Sequence, residues 1–221
     1  LYGQYFNAPI VKEKKGKPVY VPDNGKYKII THKPEYVYHE KYLTLFPRMY
    51  SNQPDHIDAY IRWTGLKKSE LFEARTNRSG QVMKDRNGEV IYDYNKPRAI
   101  PGFNDNLVFF VRYQLGFMYF RYFMWNFAGR QNDVQGNFKE EIISGNWLTG
   151  IKWADARRLG NQSELSNELK NNKSRNTFFL LPLVLGLIGF FFHFKADQKN
   201  FWVVLSLFIF TGIAVVIYLN Q

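Results

Sequence analysis

The chain has no cysteine. That absence removes disulfide frameworks, zinc-thiolate centres and thiol nucleophiles together, while leaving the compartment open. Acidic residues are few beside basic ones, 19 against 30, for a formal charge of +11 over 221 residues. No internal repeat, low-complexity tract or recognised nucleic-acid motif accompanies that excess, and the basic residues are scattered rather than grouped in a stripe. Nucleic acid is therefore not an expected partner; a surface resting against anionic lipid headgroups suits the charge better. There is also no initiating Met and no signal peptide, so an interior fragment of a longer protein is expected.

Charge is missing altogether from two late runs, "TFFLLPLVLGLIGFFFHF" over 177–194 and "FWVVLSLFIFTGIAVVIYL" over 201–219. As helices, each comes close to the ~30 Å of a bilayer's hydrocarbon core. Both are expected to be transmembrane helices, because buried core helices of a soluble protein seldom run so long without charge. Only "KADQKN" separates them, enough for a turn, which places the preceding chain and the C-terminus on one side of the membrane. Pro182, Gly186, Gly189 and Gly212 are compatible with such helices.

The preceding 176 residues carry 28 basic and 18 acidic groups, a net +10. "KPVYVPDNGKYKII" alternates around a Pro-Asp-Asn-Gly turn and "QVMKDRNGEVIYDY" around Asn87-Gly88, predicting two small β-hairpins. A short helix through Tyr60 to Trp63, capped near Asp55, lies between them, and another is expected around Trp153 to Arg158. The organisation expected is an extramembrane region with hairpins over 1–106, an aromatic helix over 107–127, a polar loop with short helices over 128–176 and a helical hairpin over 177–219.

The aromatic stretch is the most informative. Leu107 to Phe127 contains Arg112, Gln114 and Arg121 among aromatic residues, and on an α-helix Gln114 and Arg121 share one stripe while Arg112, Tyr119 and Asn126 lie nearly opposite. A lipid-facing span would cost ~2.5–3.5 kcal/mol for each central arginine. The helix is therefore expected either at headgroup level or buried inside protein, holding "GRQNDVQGN" near the bilayer.

"FPRMYS", "HIDAYIRW", "YQLGFMYFRYFMWNFAGRQNDVQG", "GNWLTGI", "LPLVLGLIGF" and "FTGIAVVIYLNQ" together resemble the central part of a family of large bacterial multipass membrane proteins (domain of unknown function 2723). That family is similar to a eukaryotic transmembrane protein O-mannosyltransferase of GT-C type. The resemblance runs over nearly the whole chain and is most specific from Arg121 to Gly136. It implies an integral membrane protein, mainly α with small β-hairpins, a fragment of a GT-C-like multipass fold with two C-terminal transmembrane helices. It further implies transfer of a sugar, mannose by analogy, from a polyprenyl-phosphate carrier to protein Ser/Thr hydroxyls at the outer side of the bacterial cytoplasmic (inner) membrane. The partners would be membrane lipids, the carrier-linked sugar and an acceptor protein, with no separate cofactor and no metal.

Such chemistry needs a carboxylate base and groups that hold a departing phosphate. Arg121 and Arg130 are the candidate phosphate partners, since guanidinium forks pair with phosphate oxygens. Gln131, Asn132 and Gln135 are candidates for sugar hydroxyls, and Trp125 or Trp147 for stacking on a sugar face. Asp133 is the best local carboxylate, with Asp55 and His56 behind it, although a turn role explains Asp133 equally well. GT-C enzymes keep the main catalytic acid in an early outer loop, so it is expected outside this sequence, and the fragment alone is expected to be inactive. The basic residues Lys170, Lys173 and Arg175 would favour a cytoplasmic long segment, but long segments follow that rule poorly and the outer, periplasmic side is expected. Two other classes stand beside the enzyme: a non-catalytic membrane scaffold of an envelope or export complex, and a transporter segment with Arg112 and Arg121 lining an anion path.

Overall fold

A computed structural model describes residues 2–3, 8–45, 51, 53–136, 138 and 140–219, with the side chains of 2, 3 and 217–219 left aside. Phe46–Tyr50 of the "FPRMYS" motif and Asn137, which closes the polar stretch, lie outside the described residues. The chain divides into two compact units, Leu1–Phe110 and Val111–Leu219.

In the first unit β1 (Tyr2–Gly3) pairs with β4 (Leu43–Thr44), and between them β2 (Ile10–Asp23) and β3 (Lys26–Tyr38) form a long antiparallel ribbon. The ribbon turns through Asn24 and Gly25, both at positive φ as an Asn-Gly hairpin turn requires. It extends well beyond the hairpin predicted over 17–30. The second predicted hairpin forms as a short one: Lys84 bridges to Val90, the Asp85 amide donates to the Glu89 carbonyl at 2.8 Å and the Ile91 amide to that of Met83 at 3.0 Å, and a further isolated bridge joins Thr76 and Val82. The Asp85 carboxylate accepts the Asn87 and Glu89 amides at 2.8 and 2.9 Å, which closes the turn of this hairpin. The nearby strand β6 (Tyr92–Pro97) pairs instead with β5 (Phe72–Ala74).

Helix α1 (Pro54–Thr64) starts on Pro54 and ends at Gly65 in the left-handed conformation, as sequence rules favour. It buries Ile57, Tyr60 and Trp63, spaced at three residues, to make the core of this unit. The Tyr60 ring stacks on Phe109 of α3 (Phe103–Phe109) at 4.7 Å, and its hydroxyl donates to buried Asn106 at 2.8 Å. Lys68 in the short α2 (Lys68–Leu71) bridges to Asp58 at 2.8 Å, and Tyr94 joins the pair by donating to the same carboxylate at 3.1 Å.

The second unit begins inside a π-helical stretch, Phe110–Tyr119, that continues into α4 (Phe120–Phe127). The buried stripe is Gln114, Met118, Arg121, Met124 and Ala128, while Arg112 is exposed. Strand β7 (Gly129–Arg130) pairs with β8 (Asn176–Thr177), and α5 (Lys152–Leu159) and α6 (Asn167–Lys170) lie between them in the chain. Gly129 has no alternative at its position: its φ is +124°, and a Cβ there would lie 2.5 Å from the Asn176 carbonyl and 2.7 Å from that of Leu148.

The unit closes with α7 (Leu181–Ala196) and α8 (Gln198–Leu219) around a turn in which Asp197 accepts the Asn200 amide at 3.1 Å. Phe123 of α4 meets Phe208 of α8 edge-on at 6.2 Å, and the Tyr119 hydroxyl lies 2.4 Å from where a Cβ on Gly212 would be. The approach of Tyr119 is possible because Gly212 has no side chain.

The expected integral, mainly α, multipass GT-C-like fold is corrected by this architecture. The fold is mixed α/β with several two-stranded ladders, and among the described residues one helix is long and apolar enough to cross a membrane, α8 over Gln198–Val216. The first charge-free run fails because Thr177 is taken into β8 and the helix begins only at Leu181, before Pro182. Its 16 residues are a helix of about 24 Å, short of the ~30 Å core.

Tyr60→Phe removes one buried hydrogen bond and leaves the Asn106 amide oxygen short of a donor. A loss of about 1–3 kcal/mol is expected, read as a lowered midpoint in urea unfolding with an unchanged slope. Gly129→Ala is expected to be more damaging, lowering the melting temperature further than Tyr60→Phe because backbone on both sides blocks any relief.

Candidate functional site

The polar stretch after α4 folds back on the helix that precedes it, and the link is Arg121. Its side chain is 4% exposed, and Nη1 donates to the carbonyls of Gly136 at 3.2 Å and Gly145 at 3.1 Å. The guanidinium also lies over the rings of Phe117, Tyr122 and Trp125, at 4.3, 5.0 and 5.7 Å from their centroids. Burial pushes its pKa down, and the nearby Tyr122, Tyr113 and Glu141 oppose that. Its position in the chain thus supplies one cation to two backbone loops, and both Nη1 contacts are to carbonyl oxygens rather than to an open cavity.

Gln131 and Asn132 are buried and bonded at both ends of their amides. Gln131 donates to the Ile142 carbonyl at 3.0 Å and to Gln162 at 3.2 Å, and accepts from Asn146 at 3.1 Å. Asn132 donates to the Ile143 carbonyl at 3.0 Å and accepts the amides of Gly145 at 2.8 Å and Val134 at 3.3 Å. Both hold the returning loop, a role that leaves them little capacity for a sugar.

Trp147 bridges to Arg130 through the backbone, and the Arg158 guanidinium lies 3.6 Å from its ring centroid, covering one stacking face. Arg158 also donates to the Trp147 carbonyl. Trp125 is half-buried, edge-on to Tyr122 at 4.8 Å, with its indole Nε1 buried and unbonded among the described residues. Gln135 is exposed. Asp55 and His56 are exposed in the first turn of α1, in the other unit.

Arg130 and Asp133 are brought together. The Arg130 Nε donates to the Ser174 carbonyl at 2.9 Å, its amide donates to the Asn176 side chain at 2.9 Å, and the single proton of the Ser174 hydroxyl is shared between Asn172 Oδ1 at 2.5 Å and Asp133 at 2.9 Å. Asp133 is exposed and Arg130 half-buried, so this is the one pairing of sequence-predicted residues with a solvent-facing carboxylate.

The residue that the sequence reading missed is Asp155, 3% exposed. Its carboxylate accepts the Thr149 amide and hydroxyl at 2.9 and 3.0 Å and the Gly150 amide at 2.8 Å, so it organises the loop entering α5 from inside the first turn. It also counteracts the lowering by burial of the Arg158 and Arg175 pKa values. The available signal was Thr-Gly followed by an acidic residue in the first helical turn, a variation on side-chain capping.

Polar atoms left over are few. Gln114 Oε1, Arg121 Nε, Trp125 Nε1 and Arg175 Nη1 are buried without a hydrogen-bond partner among the described residues. No group of three or more His, Asp or Glu side chains able to hold a metal occurs among the described residues. An apolar cavity of about 420 Å³ lies between α4, α7 and α8, lined by Phe123, Phe127, Phe190 and Phe208, with His193 its one titratable group.

Taken together, the second unit is a polar loop braced from within, next to an apolar helical hairpin. The chain belongs to a family of unknown function (DUF8416), whose model matches residues 1–111, the extent of the first unit. No curated protein and no solved structure matches the chain. The function of that family is unknown, and nothing in the match links the chain to the O-mannosyltransferase-like family.

Asp155→Ala should leave the Thr149 and Gly150 amides unpaired. A loss of about 2–4 kcal/mol is expected by scanning fluorimetry and denaturant titration, with Asp155→Asn in between. Arg121→Met, which keeps the aromatic packing but not the two carbonyl bonds, should raise protease cleavage within 133–145 at least several-fold. Unchanged cleavage would show that the loop holds without the arginine.

Proposed function

We propose that the chain is a non-catalytic, membrane-attached scaffold that holds helix α8 in a bilayer and presents folded modules for assembly with partners, as in an envelope or export complex. One observation carries the reading. The window Gln198–Val216 has a mean hydropathy of 1.9 and is only 11% buried, so its apolar side chains face outward instead of filling a core. Trp202, Leu207 and Phe210 are 57, 61 and 69% exposed. An apolar surface of this extent is stable in lipid and costly in water. Helix α7 accompanies α8 to partial depth, as its length dictates.

The inward bonding of Arg121, Gln131 and Asn132 supports the non-catalytic part, because these groups brace a loop and do not converge on open space. Membrane attachment predicts that the full chain, expressed in bacteria, resists carbonate extraction. Leu207→Arg with Phe210→Arg should move most of it to the soluble or aggregated fraction. Wild-type chain released by carbonate would sink the attachment.

Sugar transfer from a polyprenyl-phosphate carrier to protein hydroxyls is the second reading, and the convergence of Arg130 and Asp133 on Ser174 favours it. Arg130 would hold the departing phosphate and Asp133 would accept the acceptor hydroxyl's proton. In membranes containing the longer protein, with a radiolabelled carrier sugar, this reading expects transfer that falls at least a hundredfold in Arg130→Ala and in Asp133→Asn at matched folded levels. Absence of transfer with every carrier sugar leaves the scaffold.

A further inference from the structure

The β2–β3 ribbon is a long element with no buried residue: all 14 positions of β2 and 13 of β3 are exposed or half-exposed. At ~3.3 Å per residue it reaches about 45 Å. A two-stranded ribbon is marginal in water by itself, and this one contains three register irregularities.

Its outer third is sorted by face. Tyr20 pairs with Ile29 and Pro22 with Tyr27, so these four residues share one face next to the turn. Val21 pairs with Lys28 and Asp23 with Lys26 on the other. On the first face Tyr20, Tyr27 and Ile29 are 55, 79 and 48% exposed. Across the whole ribbon there are seven lysines and three acidic residues.

The edges argue against strand addition. Pro18, Pro22 and Pro34 interrupt the donors along both strands, and Lys17 and Lys33 stand directly before two of them, devices by which sheet edges resist pairing with another strand. The apolar face is thus left to a surface that is apolar within and anionic at its rim.

We propose that the tip of this arm docks end-on into the headgroup region of an anionic bilayer. Tyr20, Tyr27 and Ile29 enter the boundary with the acyl chains, and Lys26 and Lys28 reach lipid phosphates from the opposite face. Tyrosine is favoured at that depth, and clustered lysine at an anionic leaflet. The proposal extends the membrane-attachment reading by adding a second, charge-dependent lipid contact from the first unit.

The absence of cysteine makes the test direct. A single cysteine at Val21, carrying an environment-sensitive fluorophore, reports the tip of the full chain, and one at Leu207 reports α8. Both are mixed with vesicles of phosphatidylcholine alone or with an equal part of phosphatidylglycerol, containing nitroxide lipids at shallow or deep positions. The expected result is a blue shift and shallow quenching of the tip label in anionic vesicles, reduced at least fivefold in neutral ones and in Tyr20→Ser/Tyr27→Ser and Lys26→Glu/Lys28→Glu variants. Circular dichroism checks that those exposed substitutions leave the fold intact. A tip label that stays solvent-exposed in both vesicles overturns the proposal, as does equal quenching in both. A response that tracks protein concentration and not lipid charge overturns it in favour of a second copy. Quenching of the Leu207 label is scored separately, so loss of α8 insertion and loss of tip docking are distinguishable.

Discussion

A single buried cation organises the second unit. Arg121 enters from α4 and joins two peptide carbonyls that are nine residues apart, Gly136 and Gly145, while aromatic rings cover its flanks. An unpaired guanidinium at this depth would be strongly unfavourable, so the loop must return to it whenever the unit is folded. Neighbouring bonds reinforce that return. Gln131 and Asn132 fasten the loop's two sides together, Arg130 and Gly129 lay down the ladder with Asn176 and Thr177, and Asp155 fixes the turn into α5.

The use of polar residues here bears on how such a stretch is interpreted. Arginine, glutamine, asparagine and aspartate in succession have the chemistry to hold a phosphorylated sugar, and the same chemistry satisfies the carbonyls and amides of an irregular loop. Burial decides between the two. Gln131 at 1% exposure and Asn132 at 2% have their hydrogen-bonding capacity engaged within the loop, whereas Asp133, bonded to Ser174, keeps a face to solvent. The family match covers residues 1–111, the unit with the ribbon, and does not include the residues of this loop.

Elements with strong local signals were legible in the sequence. The Asn24-Gly25 turn, a helix through Tyr60 to Trp63 and another around Trp153 to Arg158 were all foreseen, although the cap expected near Asp55 is instead Gln53, which makes no side-chain capping bond. Less local features were not. A 3.6-residue period placed Gln114 and Arg121 on one stripe, and both are buried, but it gave no sign that Phe110–Tyr119 winds as a π-helix. Hydropathy saw two equal apolar runs, because it cannot register that Thr177 is claimed by a ladder whose partner, Gly129, is 48 positions earlier. Asp155 was overlooked for a similar reason: its partners are amides, which sequence does not display.

The entry to the hairpin has a mechanical consequence. Phe179 and Leu180 are consecutive non-glycine residues at φ of 53° and 59°, a conformation that costs L-residues about 1–2 kcal/mol each. They are held there by the Phe178 amide on the Ala128 carbonyl and the Phe179 amide on that of Thr149, at 2.8 and 3.0 Å. The direction in which α7 leaves the unit is thereby set by backbone bonds to the end of α4 and to the loop before α5.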